Sequence, residues 1–249
     1  MLFADGRMRD VLVWIPARGG SKGLLRKALR DLGGKPLIAW TIEHALSVAC
    51  ADYVMVNTDD PEIAAVARAH GAQVPFLRPK RWAGDRARLE KVFLHQYRWF
   101  YYARKGRYFD ISVNLSPTCP FRREGLIAAA LQKLCACAQA DSIRSVLPLE
   151  ADLDNYWLRR DGGFQRLEAA TAGEGKETVF YRNAFSFSAS FHFRAANGGR
   201  GIIYPINEVE SIDVDYMSDL VKSRMVLQHG ITWQHAPVHG DQGRIEQPV

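Results

Sequence analysis

Val11-Leu12-Val13-Trp14-Ile15-Pro16-Ala17-Arg18-Gly19-Gly20-Ser21-Lys22-Gly23 is the stretch whose reading decides the fold. Its first seven residues are an apolar run of strand length, without the alternation of a strand that is wet on one face. Such a run suits a strand covered on both sides, as in a parallel sheet. Three glycines and two cations then break it. Downstream, Pro36 to Ala49 sets Ile38, Ile42, Ala45 and Leu46 along one stripe at helical spacing. A second strand is expected at Asp52 to Thr58. The helix after it has a cap in Asp60, a first position in Pro61, an acid at its positive end in Glu62, and a stop in Gly71.

The alternation continues with strands at Gln73 to Leu77, Ile111 to Leu115 and Ile143 to Leu149, and helices at Ala87 to Ala103 and Glu124 to Cys137. Strands alternating with helices predict right-handed crossover units and an α/β fold, with a three-layer, mostly parallel, doubly wound sheet. From Glu150 to Asn183 the rhythm fails. Strands at Ser186 to Arg194, Ile202 to Ile206 and Ser211 to Asp215 follow, then a closing helix from Ser218 to Gln228. The domain reading is a core of residues 8–149 and 184–230, an inserted segment at 150–183, and a loose tail at 231–249.

Composition narrows the class. The chain has 249 residues, 47% hydrophobic and 24% charged, which excludes intrinsic disorder and collagen. No apolar run approaches the roughly 20 residues of a membrane helix, and the first residues lack the order of a signal peptide. The four cysteines, Cys50, Cys119, Cys135 and Cys137, contain no C-x-x-C pair. Reduced thiols in a cytoplasmic protein are expected, rather than a zinc site or a disulfide frame. The seven histidines form no triad, and no serine stands in a G-x-S-x-G elbow.

The net charge of +6 is uneven. Between Arg78 and Arg107 ten Lys or Arg face only Asp85 and Glu90, and the rest of the chain is slightly acidic. Such a field suits a polyanion: a nucleotide, an acidic sugar or a nucleic acid. Tyr97, Trp99, Phe100, Tyr101, Tyr102 and Tyr108 interleave with those cations, in the manner of base stacking beside phosphate contacts. Leu89, Val92, Phe93, Gln96 and Phe100 nevertheless recur at helical spacing, so packing on the sheet accounts for most of them.

The loop after the first strand is where a parallel sheet binds ligands. Gly19, Gly20 and Gly23 let backbone N–H groups approach a phosphate, and Arg18, Lys22, Arg26 and Lys27 add positive charge. Neither G-x-x-x-x-G-K-[ST] nor G-x-G-x-x-G is present. From these residues alone a phosphate cradle and a turn carrying solvated cations stand level.

The longer pattern separates them. Ile15-Pro16-Ala17-Arg18-Gly19-Gly20-Ser21-Lys22-Gly23-Leu24, Lys27 and Leu32-Gly33-Gly34-Lys35-Pro36-Leu37-Ile38 closely resemble the opening of the N-acylneuraminate (CMP-sialic acid) cytidylyltransferase family. The resemblance continues at Asn57-Thr58-Asp59-Asp60, where the family has S-T-D-D. It returns at Leu115-Ser116-Pro117-Thr118-Cys119-Pro120-Phe121-Arg122, beside L-Q-P-T-S-P-L-R. It closes at Glu210-Ser211-Ile212-Asp213-Val214-Asp215 with Asp219, beside E-S-I-D-I-D and a later aspartate. Family members move CMP from CTP to acidic nine-carbon or related sugars. Their fold is that of nucleotide-diphospho-sugar transferases, with an inserted dimerisation subdomain.

The resemblance implies roles residue by residue. Arg18, Lys22 and Lys27 offset charge at the reacting phosphorus. Ala17, Arg18, Gly19, Gly20, Ser21, Lys22, Asp59, Asp85, Pro117 and Thr118 hold the nucleotide, Asp59 otherwise merely shaping its turn. Ser116, Arg122 and Asn183 face the acceptor, Arg122 being equally readable as a helix-start surface arginine. Asp213 and Asp215 match the magnesium pair, and alternation along a strand would aim both into one cleft. A solvent-facing acidic strand is the plainer reading of D-x-D taken alone. A homodimer formed through Glu150 to Asn183 is implied as well, with Tyr156, Trp157 and Phe164 as anchors.

Departures from the family pattern gather where acceptor and base are read. Ala28 replaces an asparagine and Ser116 a glutamine; Arg86, Arg88 and Leu89 replace small hydroxyl residues. Asn183-Ala184-Phe185-Ser186-Phe187 stands where N-G-A-I-Y is usual. The expectation is a working, magnesium-dependent transferase with an altered acceptor pocket. A silent CTP-binding homologue and a nucleic-acid-binding protein are the other two readings.

Overall fold

The first strand, β1 (Val11–Pro16), is buried on both faces, as its unbroken apolar run requires. Val11, Val13 and Ile15 enter one core, Leu12 and Trp14 the other. The computed structural model describes residues 6–21, 23–84, 89–149, 157–160, 163–166, 180–191 and 200–230. After β1 come a short antiparallel pair, β2 (Asp31–Leu32) and β3 (Lys35–Pro36), then α1 (Leu37–Leu46), β4 (Tyr53–Asn57), α2 (Pro61–Ala69), α3 (Leu89–Ala103), β5 (Ile111–Leu115), α4 (Leu126–Ala136) and β6 (Ser142–Leu149). A hairpin, β7 (Trp157–Arg160) with β8 (Gly163–Arg166), precedes β9 (Phe180–Phe191), β10 (Gly201–Pro205) and α5 (Met217–Gln228).

Among the described residues the main sheet has six strands in the order β10-β6-β9-β5-β1-β4. β1 pairs parallel with β4 and β5, and β10 pairs parallel with β6. β9 runs antiparallel between β5 and β6. The larger core gathers apolar residues of α1, α2 and α4 on one face; Val92 and Phe100 of α3 pack on Trp14 and Met55 on the other. That is the three-layer α/β arrangement. The capped helix is as read: Asp60 Oδ1 accepts from Glu62 N (2.8 Å) and Ile63 N (3.3 Å), and Gly71 has φ +90°.

Three expectations are corrected. Gln73 to Leu77 is no strand; it makes only the isolated bridges Met55–Gln73 and Thr58–Leu77. Pro75 between them has no N–H for a ladder. Ser211 to Asp215 is also irregular. Ile212 and Val214 are buried as alternation suggests, but against Leu24, Phe121 and Leu220 in a small third core rather than in a sheet. The strand expected at Ser186 to Arg194 begins earlier, with Phe180 paired to Leu149, so the sheet takes in residues assigned above to the insertion.

The aromatics of the basic window divide, with Phe93 and Trp99 packing partly buried against the α3 face of the core. Tyr97 and Phe100 are buried, while Tyr101 and Tyr102 are exposed. The window is therefore a helix seated on the sheet with a charged outer face, as its spacing predicts.

Candidate functional site

The chain leaves β1 for β4 on one side and later places β5 on the other. The carboxyl ends of β1 and β5 thus flank a switch in strand order, where open α/β sheets bind ligands. A cavity of about 320 Å³ lies there, lined by Ala17, Arg18, Ser21, Gly23 and Lys27 after β1, Pro117 and Thr118 after β5, and Asp215 and Tyr216 before α5. Pro16 and Ala28 complete the wall.

Local chemistry shapes the front loop. Ala17 N donates to Asn57 O (3.0 Å) and Gly19 N to Asp59 Oδ1 (3.0 Å). Asp59 therefore holds the turn. A Cβ on Gly19 would come within 2.7 Å of the Asp60 carboxylate, and one on Gly23 within 2.4 Å of the Asp215 carbonyl oxygen. At Gly23 only glycine permits the front loop to touch the chain's late acidic segment.

That segment is tied down from three sides. Val214 N donates to Thr118 O (2.8 Å). Asp219, in the first turn of α5, accepts from Asp215 N (3.0 Å) and Tyr216 N (2.8 Å). Glu210, fully buried, accepts from Arg123 N (3.1 Å), Asn207 N (3.1 Å) and the Arg123 guanidinium. Asp219 and Glu210 are thus frame residues of their motif.

The result is an ion pair between chain regions 188 residues apart: Lys27 Nζ lies 2.5 Å from Asp215 Oδ1. Asp213 sits beside it. Burial raises the Asp213 carboxyl above its ordinary range, a Thr118 hydrogen bond opposes that, Asp215 adds to it, and Lys27 opposes it. One Asp213 oxygen, Oδ1, is buried without a partner. A buried, unpaired carboxylate oxygen next to a second carboxylate is a donor set that fits a hard cation. Among the described residues no cluster of three or more His, Cys, Asp or Glu could hold a metal. A two-carboxylate site suits magnesium, which keeps several waters and takes phosphate oxygens.

The site residues expected from sequence divide accordingly. Ala17, Arg18, Ser21, Lys27, Pro117, Thr118 and Asp215 share the cavity wall. Gly19 and Gly20 lie in its loop, and Asp213 lies close behind Asp215. Lys22 and Asp85 fall outside the described residues. Ser116, one step below the wall, shares a 2.8 Å hydroxyl contact with Thr118. Asn183 is exposed on β9, its Oδ1 accepting from Phe185 N (3.4 Å).

Arg122 is not at the wall. Its guanidinium is buried beneath it, donating to Cys119 O (2.6 Å), Thr41 Oγ1 (3.2 Å), Ser116 O (2.9 Å) and Ser186 O (2.7 Å). Burial first of all pushes this arginine down to about 10, so it stays a cation at neutral pH. It stitches the loop after β5 to β9. Arg78 does similar work under β4, donating through Nε to Asn57 Oδ1 (2.8 Å), while Asn57 Nδ2 donates to Gln96 Oε1 (3.0 Å). Burial pushes Arg78 down to about 10, the Asp59 charge opposing and Arg18 adding to the fall. The sequence reading missed this network and the lining by Tyr216. Its only signal was an arginine and an asparagine at strand ends. Cys119 is fully buried and its thiol is pushed up to about 12, by burial before any charge, so it stays a thiol.

A second hollow, of about 500 Å³, lies at the opposite, amino ends of β1, β4 and β5. Asp10, Asp52, Tyr53, Trp99, Arg104 and Phe109 are among its walls. Its charges answer one another: Arg104 pairs with Asp10, and Asp52 Oδ2 accepts from Val11 N (2.7 Å).

A family model described as cytidylyltransferase matches residues 12–143, from β1 into β6. The CMP-N,N'-diacetyllegionaminic acid synthase of Legionella pneumophila is 40% identical over 149 residues, covering 60% of this chain and 62% of that protein. The pseudaminic acid cytidylyltransferase of Campylobacter jejuni is 49% identical over 73 residues, covering 29% of this chain and 32% of that protein. The chain thus spans under two thirds of the length of these relatives. The N-acylneuraminate cytidylyltransferase of Escherichia coli is 27% identical over 219 residues, covering 84% of this chain and 50% of that protein. Among solved structures, CMP:2-keto-3-deoxy-manno-octonic acid synthetase complexed with CTP superposes with a TM-score of 0.65 at 18% identity, over 89% of this chain and 99% of that one. At that identity the likeness is one of fold.

Proposed function

The chain belongs to the cytidylyltransferase family, and from that premise we propose that it transfers CMP from CTP to a hydroxyl of an acidic sugar, releasing pyrophosphate. The observation that carries the reading is the Lys27–Asp215 contact across the switch-point cavity. It joins cations from the front of the chain to acids near its back, around a space open to a triphosphate.

Arg18, Lys22 and Lys27 would take the phosphate oxygens, with the N–H groups of Gly20 and Gly23 beside them. When the sugar hydroxyl attacks the α-phosphorus, the departing pyrophosphate gains negative charge. Cations fixed beforehand stabilise that state most when water is excluded. Asp213 and Asp215 would hold Mg²⁺, and the ion would supply positive charge to offset the negative charge developing on the leaving group. Without a bound nucleotide, Lys27 and Asp215 neutralise each other and keep the loop and the acids in place.

Relatives named for legionaminic, pseudaminic and N-acylneuraminic acids support a nine-carbon sugar acid as the acceptor. We further propose a homodimer; Tyr156, which anchors it in the sequence reading, lies outside the described residues. The four free cysteines support a reducing, cytoplasmic setting. Among the described residues no helix is long and apolar enough to cross a membrane.

The test is direct. The protein is incubated with CTP, Mg²⁺ and, in turn, N,N'-diacetyllegionaminic, pseudaminic and N-acetylneuraminic acid. Pyrophosphate release and a CMP conjugate detected by mass spectrometry are expected with at least one. Calorimetry showing no magnesium-dependent CTP binding would overturn the reading. CTP binding without turnover of any acid would leave a silent binding protein in its place.

A further inference from the structure

We infer that Phe185 is an acceptor-specificity residue: a held-out aromatic face on which the ring of the sugar acid rests. This deepens the transferase reading and rests on it. Four observations lead there.

First, β9 bulges at this point. Arg144 pairs with Ser188 but Val146 pairs with Asn183, so the four residues Ala184 to Phe187 stand opposite Ser145 alone. Bulges beside functional sites re-aim a side chain. Second, Phe185 has φ +52°, the left-handed region. Glycine adopts that region freely, whereas a bulky side chain there is strained. Third, the ring is 66% exposed, although Ala184, Ser186 and Phe187 around it are buried. It gains nothing from the core in exchange for its strain.

Fourth, buried groups hold the bulge in place. Ser145 Oγ donates to Phe187 O (3.1 Å) and accepts from Phe187 N (3.1 Å). Ser186 O accepts from Ser116 N (3.2 Å) and from the buried Arg122 (2.7 Å). A strained conformation persists where its surroundings over-determine it, and such positions cluster at ligand sites. Ser116 in turn touches Thr118, which lines the cavity. The bulge therefore sits one strand over from the phosphate cavity, at the carboxyl edge of β5, where the second substrate of a transfer would approach. A flat apolar ring with no charge fits the C–H face of a pyranose, leaving carboxylate and hydroxyls to polar neighbours. Arg122 and Ser145 are positioning residues for that ring.

The experiment compares wild type, Phe185→Gly and Phe185→Tyr, using the acid turned over in the assay above. Phe185→Gly removes the ring and also relieves the left-handed strain. Its melting temperature is expected to rise while the KM for the acceptor rises at least tenfold, with the KM for CTP within twofold of wild type. Phe185→Tyr is expected to restore the acceptor KM. Stability and acceptor affinity moving in opposite directions is a result that a merely structural role does not give. An unchanged acceptor KM overturns the inference, as does a rise shared equally by CTP. Dissociation of an oligomer on light scattering, with KM unchanged, also overturns it and assigns the ring to a partner contact. If wild type turns over no acid, ligand-observed NMR with N-acetylneuraminic and N,N'-diacetyllegionaminic acid replaces the KM. Binding lost in Phe185→Gly then sustains the inference where the transferase reading has failed; absence of binding to wild type overturns both.

Discussion

The two hollows at opposite ends of the β1–β5 seam differ less in size than in what their charges do. At the carboxyl end, Arg18, Lys27 and Asp215 line an open cavity, the Lys27–Asp215 ion pair borders it, and the buried Asp213 Oδ1 has no hydrogen-bond partner. At the amino end, Arg104 is committed to Asp10 and also lies 4.0 Å over the Phe109 ring, among aromatics that pack on one another. Both ends carry cations and acids, so composition does not tell them apart. Geometry does: strand ends splay around a switch in order at one end, and a helix closes over the other.

Four substitutions or conditions would break or sharpen that contrast. Lys27→Met removes a cation aimed at the cavity, and kcat/KM for CTP should fall about 10³-fold with little change in melting temperature; steady-state kinetics beside calorimetry measures both. Gly23→Ala puts a Cβ against the Asp215 carbonyl oxygen. Displacing cations from acids by under an ångström should cost about 10²-fold in turnover, and a fold left intact by circular dichroism would locate the damage in the site. Arg104→Met strips the brace at the amino end. Its pair with Asp10 is partly exposed, so about 1 kcal/mol of stability is expected to go, with kcat/KM within twofold. A tenfold loss of activity there would erase the distinction between the two ends.

The smallest effect concerns pH. His44 on α1 is pushed down to about 3, by burial first and then by the Arg122 charge, and its Nε2 is buried without a partner. The unfolded chain takes up this proton below about pH 6.5, whereas the folded chain refuses it. Stability from His44 is therefore complete above pH 6.5 and is lost as pH falls toward 3. Urea midpoints should decline less steeply with acid in His44→Leu than in wild type over that window. Equal slopes would remove His44 from the account.

Much of this was legible in the residues, for physical reasons that also mark the limits. β1 and the Asp60-capped α2 announce themselves because strand burial and helix capping are local properties. The direction of β9 is not local. Its alternation of Phe185, Phe187, Ala189 and Phe191 with Ser186, Ser188 and Ser190 marks a strand, but nothing in the segment says that it runs antiparallel between β5 and β6. The acids were placed near the front cations by resemblance, through a strand that does not exist; Val214 N on Thr118 O and Asp219 under Asp215 do the placing. Arg122 shows the hardest limit. A motif specifies an arginine there, yet whether it meets substrate or backbone depends on Thr41 and Ser186, 81 and 64 residues away.

The Lys27–Asp215 contact also dates the site in the life of each molecule. During synthesis the loop after β1 is translated some 190 codons before the acidic segment that it meets. A nascent chain in which β1, β4 and β5 have paired thus displays cations around an unfinished hollow. The wall is completed only when the segment from Glu210 to Asp219 folds back across the seam.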